Sequence, residues 1–274
     1  MCRFISFKIS EPRYFNYIAY SLSYISLIDP LLPIKVPNVP SHVDGWGLSA
    51  YDSHGILTTF KSSRPFYLDI RRVLRILEDL EPPIYGLIHI RRASTDQPIG
   101  AVHSHPYIGE VNGALILMAH NGGLNKELIK KYYNLDINVN EVTDSYVYFY
   151  LLLKTYKNIG DILTSIENII KGLISINAVK LKYGGTLRES SLNAVLLFIK
   201  DDRPIIYVIE DWKHLRGELR KYYRILTLAK DKNVIICSSS IAERLRNFGF
   251  TDYKPDVVRE VCTDNRLVRI LAIK

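Results

Sequence analysis

Sulfur and glutamine are scarce in this chain, with three cysteines, two methionines and a single glutamine, Gln97, among 274 residues. The cysteines, at positions 2, 237 and 262, are odd in number and far apart. That excludes a disulfide framework and a C-x-x-C metal site, and leaves Cys237 and Cys262 to be read as core. No apolar run approaches the ~18 residues of a membrane helix, and the N-terminus lacks the basic region, apolar run and small-residue cleavage site of a signal peptide. A cytoplasmic protein is expected, with no membrane partner. Scarce Gln and Met beside plentiful Ile, Lys, Arg and Tyr is a bias associated with thermophiles, which speaks to source and not to function. Linkers, repeats and low-complexity segments are missing too, so residues 1–274 are read as one α+β domain. What is present is an ordinary globular balance, 47% hydrophobic and 23% charged, enough to bury a sizeable core. The net charge of +8 is spread along the chain in short clusters mixed with acids. No nucleic-acid-binding motif accompanies it, so nucleic acid is not expected as a partner.

Met1-Cys2-Arg3 is the most informative stretch. Removal of Met1 would leave Cys2 with a thiol, free pKa roughly 8.5, beside an α-amine titrating at about 7.7 to 8.0. Such a residue can be nucleophile and base at once, needing no distant histidine. Taken alone, the position could equally be one that tolerates cysteine. Residues 3–8 alternate as a strand, which would hold Cys2 at the head of a sheet. Pro12 opens a helix whose Phe15, Ile18, Leu22 and Ile25 share a face. The Pro-rich segment 29–40 reads as an irregular surface loop. His42-Val43-Asp44-Gly45-Trp46-Gly47 leads into a hairpin over 48–51 and 55–60, and its glycines mark either a close approach near a cleft or the packing of a buried Trp. Residues 66–80 carry an amphipathic helical stripe that Pro82 and Pro83 stop.

The buried strand 84–90 delivers Arg91-Arg92-Ala93-Ser94 at its end, where a guanidinium fork must meet a carboxylate of the protein or of a ligand. A strand over 101–107 carries His103-Ser104-His105-Pro106, and alternation would put both imidazoles on one face. No third ligand follows at a sensible spacing, so no metal is expected. The strand 114–119 ends in His120-Asn121-Gly122-Gly123 before a helix over 124–133. There the Asn-Gly pair can supply oxyanion donors, or else a turn and helix cap. Thr143-Asp144-Ser145 caps a helix over 145–156, and another helix covers 161–176. Hairpins over 192–199/204–209 and 257–273, the second turning near Asp264-Asn265, a strand over 233–237 and a helix over 240–248 complete the chain.

In this order, an N-terminal Cys, H-V-D-G-W-G, H-I-R-R-A-S, H-S-H-P, A-H-N-G-G and T-D-S resemble the class II glutamine amidotransferases of the N-terminal nucleophile hydrolases, most closely the stand-alone type. The motifs span Cys2 to Asp144; the second half matches only as elements that complete the fold. The resemblance implies a four-layer αββα sandwich of two mainly antiparallel sheets. It implies Cys2 as nucleophile, Asn121 and Gly122 as oxyanion hole, Arg91 and Asp144 as partners of the substrate's α-carboxylate and α-amine, and Ser94 as a further contact. It implies no cofactor. Arg92 and Tyr146 depart from the family pattern, where tryptophan and an acidic residue are common. Glutamine is the implied substrate, with ammonia passed to a partner protein, since no acceptor domain is attached. Stand-alone members that cleave γ-glutamyl peptides or amine conjugates provide an enzymatic alternative, and a non-catalytic module with a relic site provides one of another class.

Overall fold

A computed structural model describes residues 2–35, 38–94, 97–183, 186–263 and 266–274, without the side chains of 182, 183 and 186–188. In chain order its elements are β1 (Cys2–Ile9), α1 (Tyr14–Leu27), β2 (Trp46–Tyr51), β3 (Leu57–Ser62), α2 (Ile70–Glu78), β4 (Ile84–Arg91), β5 (Tyr107–Val111) and β6 (Ala114–His120). Helices α3 (Lys126–Tyr133), α4 (Asp144–Ile159) and α5 (Ile162–Ser175) follow. The remainder comprises β7 (Lys180–Tyr183), β8 (Thr186–Glu189), β9 (Ala194–Lys200), β10 (Arg203–Glu210), α6 (Gly217–Tyr223), β11 (Ile225–Lys230), β12 (Asn233–Ser238), α7 (Ser239–Arg246), β13 (Thr251–Asp252), β14 (Asp256–Thr263) and β15 (Arg266–Ile273).

Among the described residues the strands form a seven-stranded sheet, ordered β13-β11-β12-β1-β4-β2-β3, a six-stranded sheet, ordered β14-β15-β10-β9-β6-β5, and the small hairpin β7-β8. Neighbouring strands pair antiparallel throughout. Period-2 alternation divides each strand between two layers. On β1, Ile5, Phe7 and Ile9 point outward to pack with Phe15, Ile18 and Leu22 of α1, Val73 and Leu77 of α2, and Ile241 and Leu245 of α7. Phe4 points the other way, into a layer shared with Leu87 of β4, Leu117 and Ala119 of β6, and Val195 and Leu197 of β9. The outer face of the six-stranded sheet is covered by α3, α4 and α5. Helix, sheet, sheet and helix thus stack as an αββα sandwich, the expected α+β class.

Several local expectations need correction. His103 lies in a short 3-10 helix, Ala101–His103, and β5 begins only at Tyr107, so the two imidazoles do not share a strand face. Pro106 offers no N–H to extend a ladder. The stripe over 66–80 is divided between a 3-10 turn, Phe66–Leu68, and α2. Within the Pro-rich segment Leu32–Ile34 forms a 3-10 turn, and Asp29 and Leu32 are fully buried, which a surface loop would not require. Cys237 is core, as expected, but Cys262 on β14 is exposed. Helix α3 begins at Lys126 and is capped by Asn125, whose side chain accepts from the Leu128 N–H at 3.0 Å. The 264–265 turn falls outside the described residues, while β14 and β15, the strands that flank it, form as expected.

Candidate active site

The register of β1 against β4 sets Cys2 directly opposite Arg91. Both therefore project from the same face, the one turned toward the second sheet. Across from them β6 ends at His120, and the chain turns through Asn121-Gly122-Gly123. Cys2, Arg91, Ser94, Gly122 and Asp144 line one cleft of about 60 Å³ together with Gln97, His105 and His120. Asn121 does not line that cleft; it is buried directly behind it.

The Arg91 side chain is buried, 3% exposed. Its Nη2 donates to the Pro98 carbonyl at 2.8 Å, whereas Nη1 has no hydrogen-bond partner among the described residues. The strand end that carries it is clamped by the H-V-D-G-W-G turn. Arg91 N donates to Gly45 O at 2.9 Å, Asp44 N to Arg91 O at 3.1 Å, and Ala93 N to Asp44 Oδ2 at 2.8 Å. Gly45 has φ +109°, and a Cβ there would lie 2.6 Å from Ser62 O, so only glycine suits the turn. Trp46 faces away from the cleft, fully buried in the outer layer with its Nε1 donating to Asp69 Oδ2 at 3.1 Å. Both readings of the Gly-Trp-Gly pattern hold, since Trp46 is buried and a Cβ on Gly47 would lie 2.1 Å from O of His105, which lines the cleft.

The turn after β6 rests on the start of β9. Asn121 N donates to Asn193 O at 2.8 Å, which leaves only its side-chain amide for another task. Gly122 approaches so closely that a Cβ would sit 1.8 Å from Ser191 O. Its own N–H has no partner among the described residues. His120 fastens the turn, with Nε2 3.2 Å from Ser191 O and Nδ1 2.9 Å from Ser145 Oγ. A carbonyl only accepts, so Nε2 carries the proton and Nδ1 accepts from the Ser145 hydroxyl. Helix α4 has Thr143 as N-cap, accepting from Tyr146 N at 3.0 Å. Asp144 is thereby released from capping. One of its oxygens accepts from Leu124 N at 2.9 Å and the other from Ser145 N at 2.8 Å, while Asp144 N donates to Gln97 Oε1 at 3.2 Å.

Sequence reading missed two supports. Arg3 is fully buried on the opposite face of β1, where its Nε donates to Asp29 Oδ2 at 2.6 Å and its Nη1 to Tyr222 O at 2.7 Å. His42 Nε2 lies 2.8 Å from the same Asp29 oxygen. Burial alone would raise the Asp29 carboxyl, but Arg3 and His42 hold it well below the usual carboxylate range. The second support is a pair of buried imidazoles beneath the cleft. The rings of His89 and His105 lie 4.0 Å apart. Neither nitrogen of His105 has a partner among the described residues, and His89 approaches the His120 backbone without a normal hydrogen bond. Burial, reinforced by nearby cations, holds both far below the ordinary imidazole value. They form a neutral wall. Neither support carries a local sequence signal, since the partners are far apart in the chain.

A family model, glutamine amidotransferases class-II, matches residues 35–214. The chain belongs to this family. The matched range contains Arg91, Ser94, Asn121, Gly122 and Asp144 and begins after Cys2. Among solved structures, the B. subtilis glutamine phosphoribosylpyrophosphate amidotransferase, complexed with ADP and GMP, is similar with a TM-score of 0.56 at 16% identity, over 97% of this chain and 48% of that one. The allosteric regulatory enzyme of purine biosynthesis is similar with a TM-score of 0.59, also at 16% identity and with the same coverages. The chain thus spans about half the length of these two proteins, and the likeness is one of fold. No curated protein matches the sequence.

The buried imidazoles make a pH prediction. As pH falls through about 6.5 the unfolded chain protonates these histidines and the folded one does not, so the unfolded state binds more protons and stability declines. The melting temperature is expected to hold above that value and drop below it, less steeply in His105→Asn. A wild-type profile that stays flat between about pH 7.5 and 5 would contradict a neutral, unpartnered pair.

Proposed function

We propose that the protein hydrolyses the side-chain amide of glutamine through a thioester on Cys2, and that the ammonia passes to an acceptor protein. The observation that carries this reading is Arg91 Nη1, a buried cationic donor without an acceptor among the described residues, on the same sheet face as Cys2. A buried unsatisfied charged group costs several kcal/mol. An incoming α-carboxylate would remove that cost and accept a bidentate pair. Asp144, freed from capping, is the complementary anion for an α-amine, and Ser94 lines the same cleft.

The Cys2 thiol adds to the amide carbon as its proton moves to the Cys2 α-amine. The carbonyl oxygen becomes an oxyanion facing the Gly122 N–H and the Asn121 side-chain amide. Collapse breaks the C–N bond, with the α-amine returning its proton to the departing ammonia. Water then opens the thioester to glutamate and restores the thiol. The cleft holds about 60 Å³.

Three measurements test the proposal. The mature, active chain should begin at Cys2, with Cys2→Ala folded but inactive; intact-mass analysis showing Met1 on fully active molecules would rule out the α-amine as base. Arg91→Ala should raise KM for glutamine about ten- to a hundredfold, the worth of one charged hydrogen bond. An equal loss toward a γ-amide lacking the α-carboxylate would make Arg91 a structural residue. Asn121→Ala should lower kcat by about a hundredfold or more with little change in KM. Its melting temperature should stay close to wild type, because Asn125 and not Asn121 caps α3. Near-normal kcat with a depressed melting temperature would remove Asn121 from the oxyanion hole.

A further inference from the structure

The Cys2 cleft is not the molecule's only concavity. A cavity of about 800 Å³ lies on the far side of β7, where Lys180 lines the cavity and the next residue, Leu181, lines the cleft. The volume is within the range of roughly 300–1,000 Å³ typical of small-molecule sites. Lys171, Lys180, Arg216 and Arg266 line it, with His214, against one lining carboxylate, Glu189. Lys171 pairs with Glu167 at 2.6 Å, and Lys180 reaches Glu189 only at 3.8 Å. Arg216, exposed at the N-terminus of α6, has no ion pair among the described residues.

Arg266 is built into the wall. Its Nε donates to Asp211 Oδ1 at 2.7 Å, and its Nη2 donates to Ser190 O at 2.5 Å and to His214 Nε2 at 2.9 Å. Nη1 is left with Glu189 Oε2 at 3.6 Å. A guanidinium held by two of its three nitrogens loses little freedom when the third meets a ligand. Asp211 is itself fixed, accepting from Leu192 N at 2.7 Å and, through its carbonyl, from Ser191 Oγ at 2.7 Å. The cavity therefore combines a fixed cation, more exposed cations and, among the described lining residues, a surplus of positive charge, the arrangement that concentrates anions.

We infer that this cavity is a second ligand site, separate from the Cys2 cleft, for a compact small molecule bearing phosphate or several carboxylates. The inference does not depend on the glutamine reading. The carbonyl of Ser190, which Arg266 holds, immediately precedes Ser191, on which His120 and Gly122 rest. A ligand on Arg266 would thus sit behind the oxyanion turn.

Isothermal titration of the full chain with pyrophosphate, and separately with citrate, tests the site. One or both should bind saturably with a Kd of about 1 mM or tighter, more weakly as ionic strength rises. The arm that binds more tightly identifies phosphate or polycarboxylate as the preferred chemistry. The double variant Lys180→Gln/Arg216→Gln, which alters only partly or fully exposed side chains, should weaken binding at least about tenfold at an unchanged melting temperature. Arg91→Ala should bind as wild type does. Absence of saturable binding of either anion, wild-type affinity in the double variant, or loss of binding in Arg91→Ala would each overturn the inference, the last by placing the anion in the Cys2 cleft.

Discussion

In the pairing of β1 with β4, Cys2 stands opposite Arg91, Phe4 opposite His89 and Ile5 opposite Ile88. Because side chains alternate with period 2, a slip of one residue would turn every one of them to the other layer. Phe4 would leave the inter-sheet core for the helical face, and Ile5 would do the reverse. The hydrophobic pattern of the strand thus holds the register, and the register in turn places the thiol and the guanidinium on one face. Arg3, one residue on, must then point into the outer layer, where Asp29, His42 and the Tyr222 carbonyl receive it.

Three buried arginines separate scaffold from site. Arg3 and Arg266 each reach a buried aspartate, Asp29 or Asp211, and a backbone carbonyl. Breaking such a pair leaves an uncompensated charge, at a cost of roughly 3–5 kcal/mol. Among the described residues Arg91 has a carbonyl but no carboxylate, and its Nη1 lacks an acceptor. Arg3 and Arg266 are each fixed by an aspartate, with Nη1 of Arg266 left only Glu189 at 3.6 Å, whereas Arg91 has no such anchor among the described residues and suits an outside anion inside its cleft. Conformational economy points the same way, since the strand end bearing Arg91 is pinned by Gly45 and Asp44 before any ligand arrives.

How much was legible in the sequence follows from how local each signal is. The α1 stripe, the apolar runs of β4, β6 and β9 and the helical pattern of α5 depend on neighbouring residues, and they form where the pattern places them. The family resemblance depended on motif order and led to the correct layers. The H-S-H-P segment was misread because alternation over four residues cannot distinguish a strand from a 3-10 turn that ends before a proline. Cys262 was misread because it lies on an edge strand of the second sheet, with one face uncovered. The pairs Arg3–Asp29 and Arg266–Asp211 join positions 26 and 55 residues apart, and no spacing announces them. At the site, the sequence could suggest Asn121 as cap or as oxyanion donor. Asn125, not Asn121, holds the cap position of α3.

The groups proposed for catalysis come from both halves of the sandwich. Cys2 and Arg91 belong to the seven-stranded sheet, whereas Gly122 follows a strand of the six-stranded sheet and Asp144 opens a helix packed on that sheet's outer face. Their separation is therefore set by the layer between, where Phe4 and Leu87 meet Leu117, Ala119 and Val195. Close-packed interiors transmit small changes of volume instead of absorbing them. Phe4 and Ala119 lie two residues from Cys2 and from Asn121, so the apolar core that holds the sheets together also sets the spacing between Cys2 and the turn at Asn121. Stability and catalytic geometry here share the same atoms, and the hydrogen bonds of His120 to Ser145 and Ser191 add the orientation that apolar packing cannot supply.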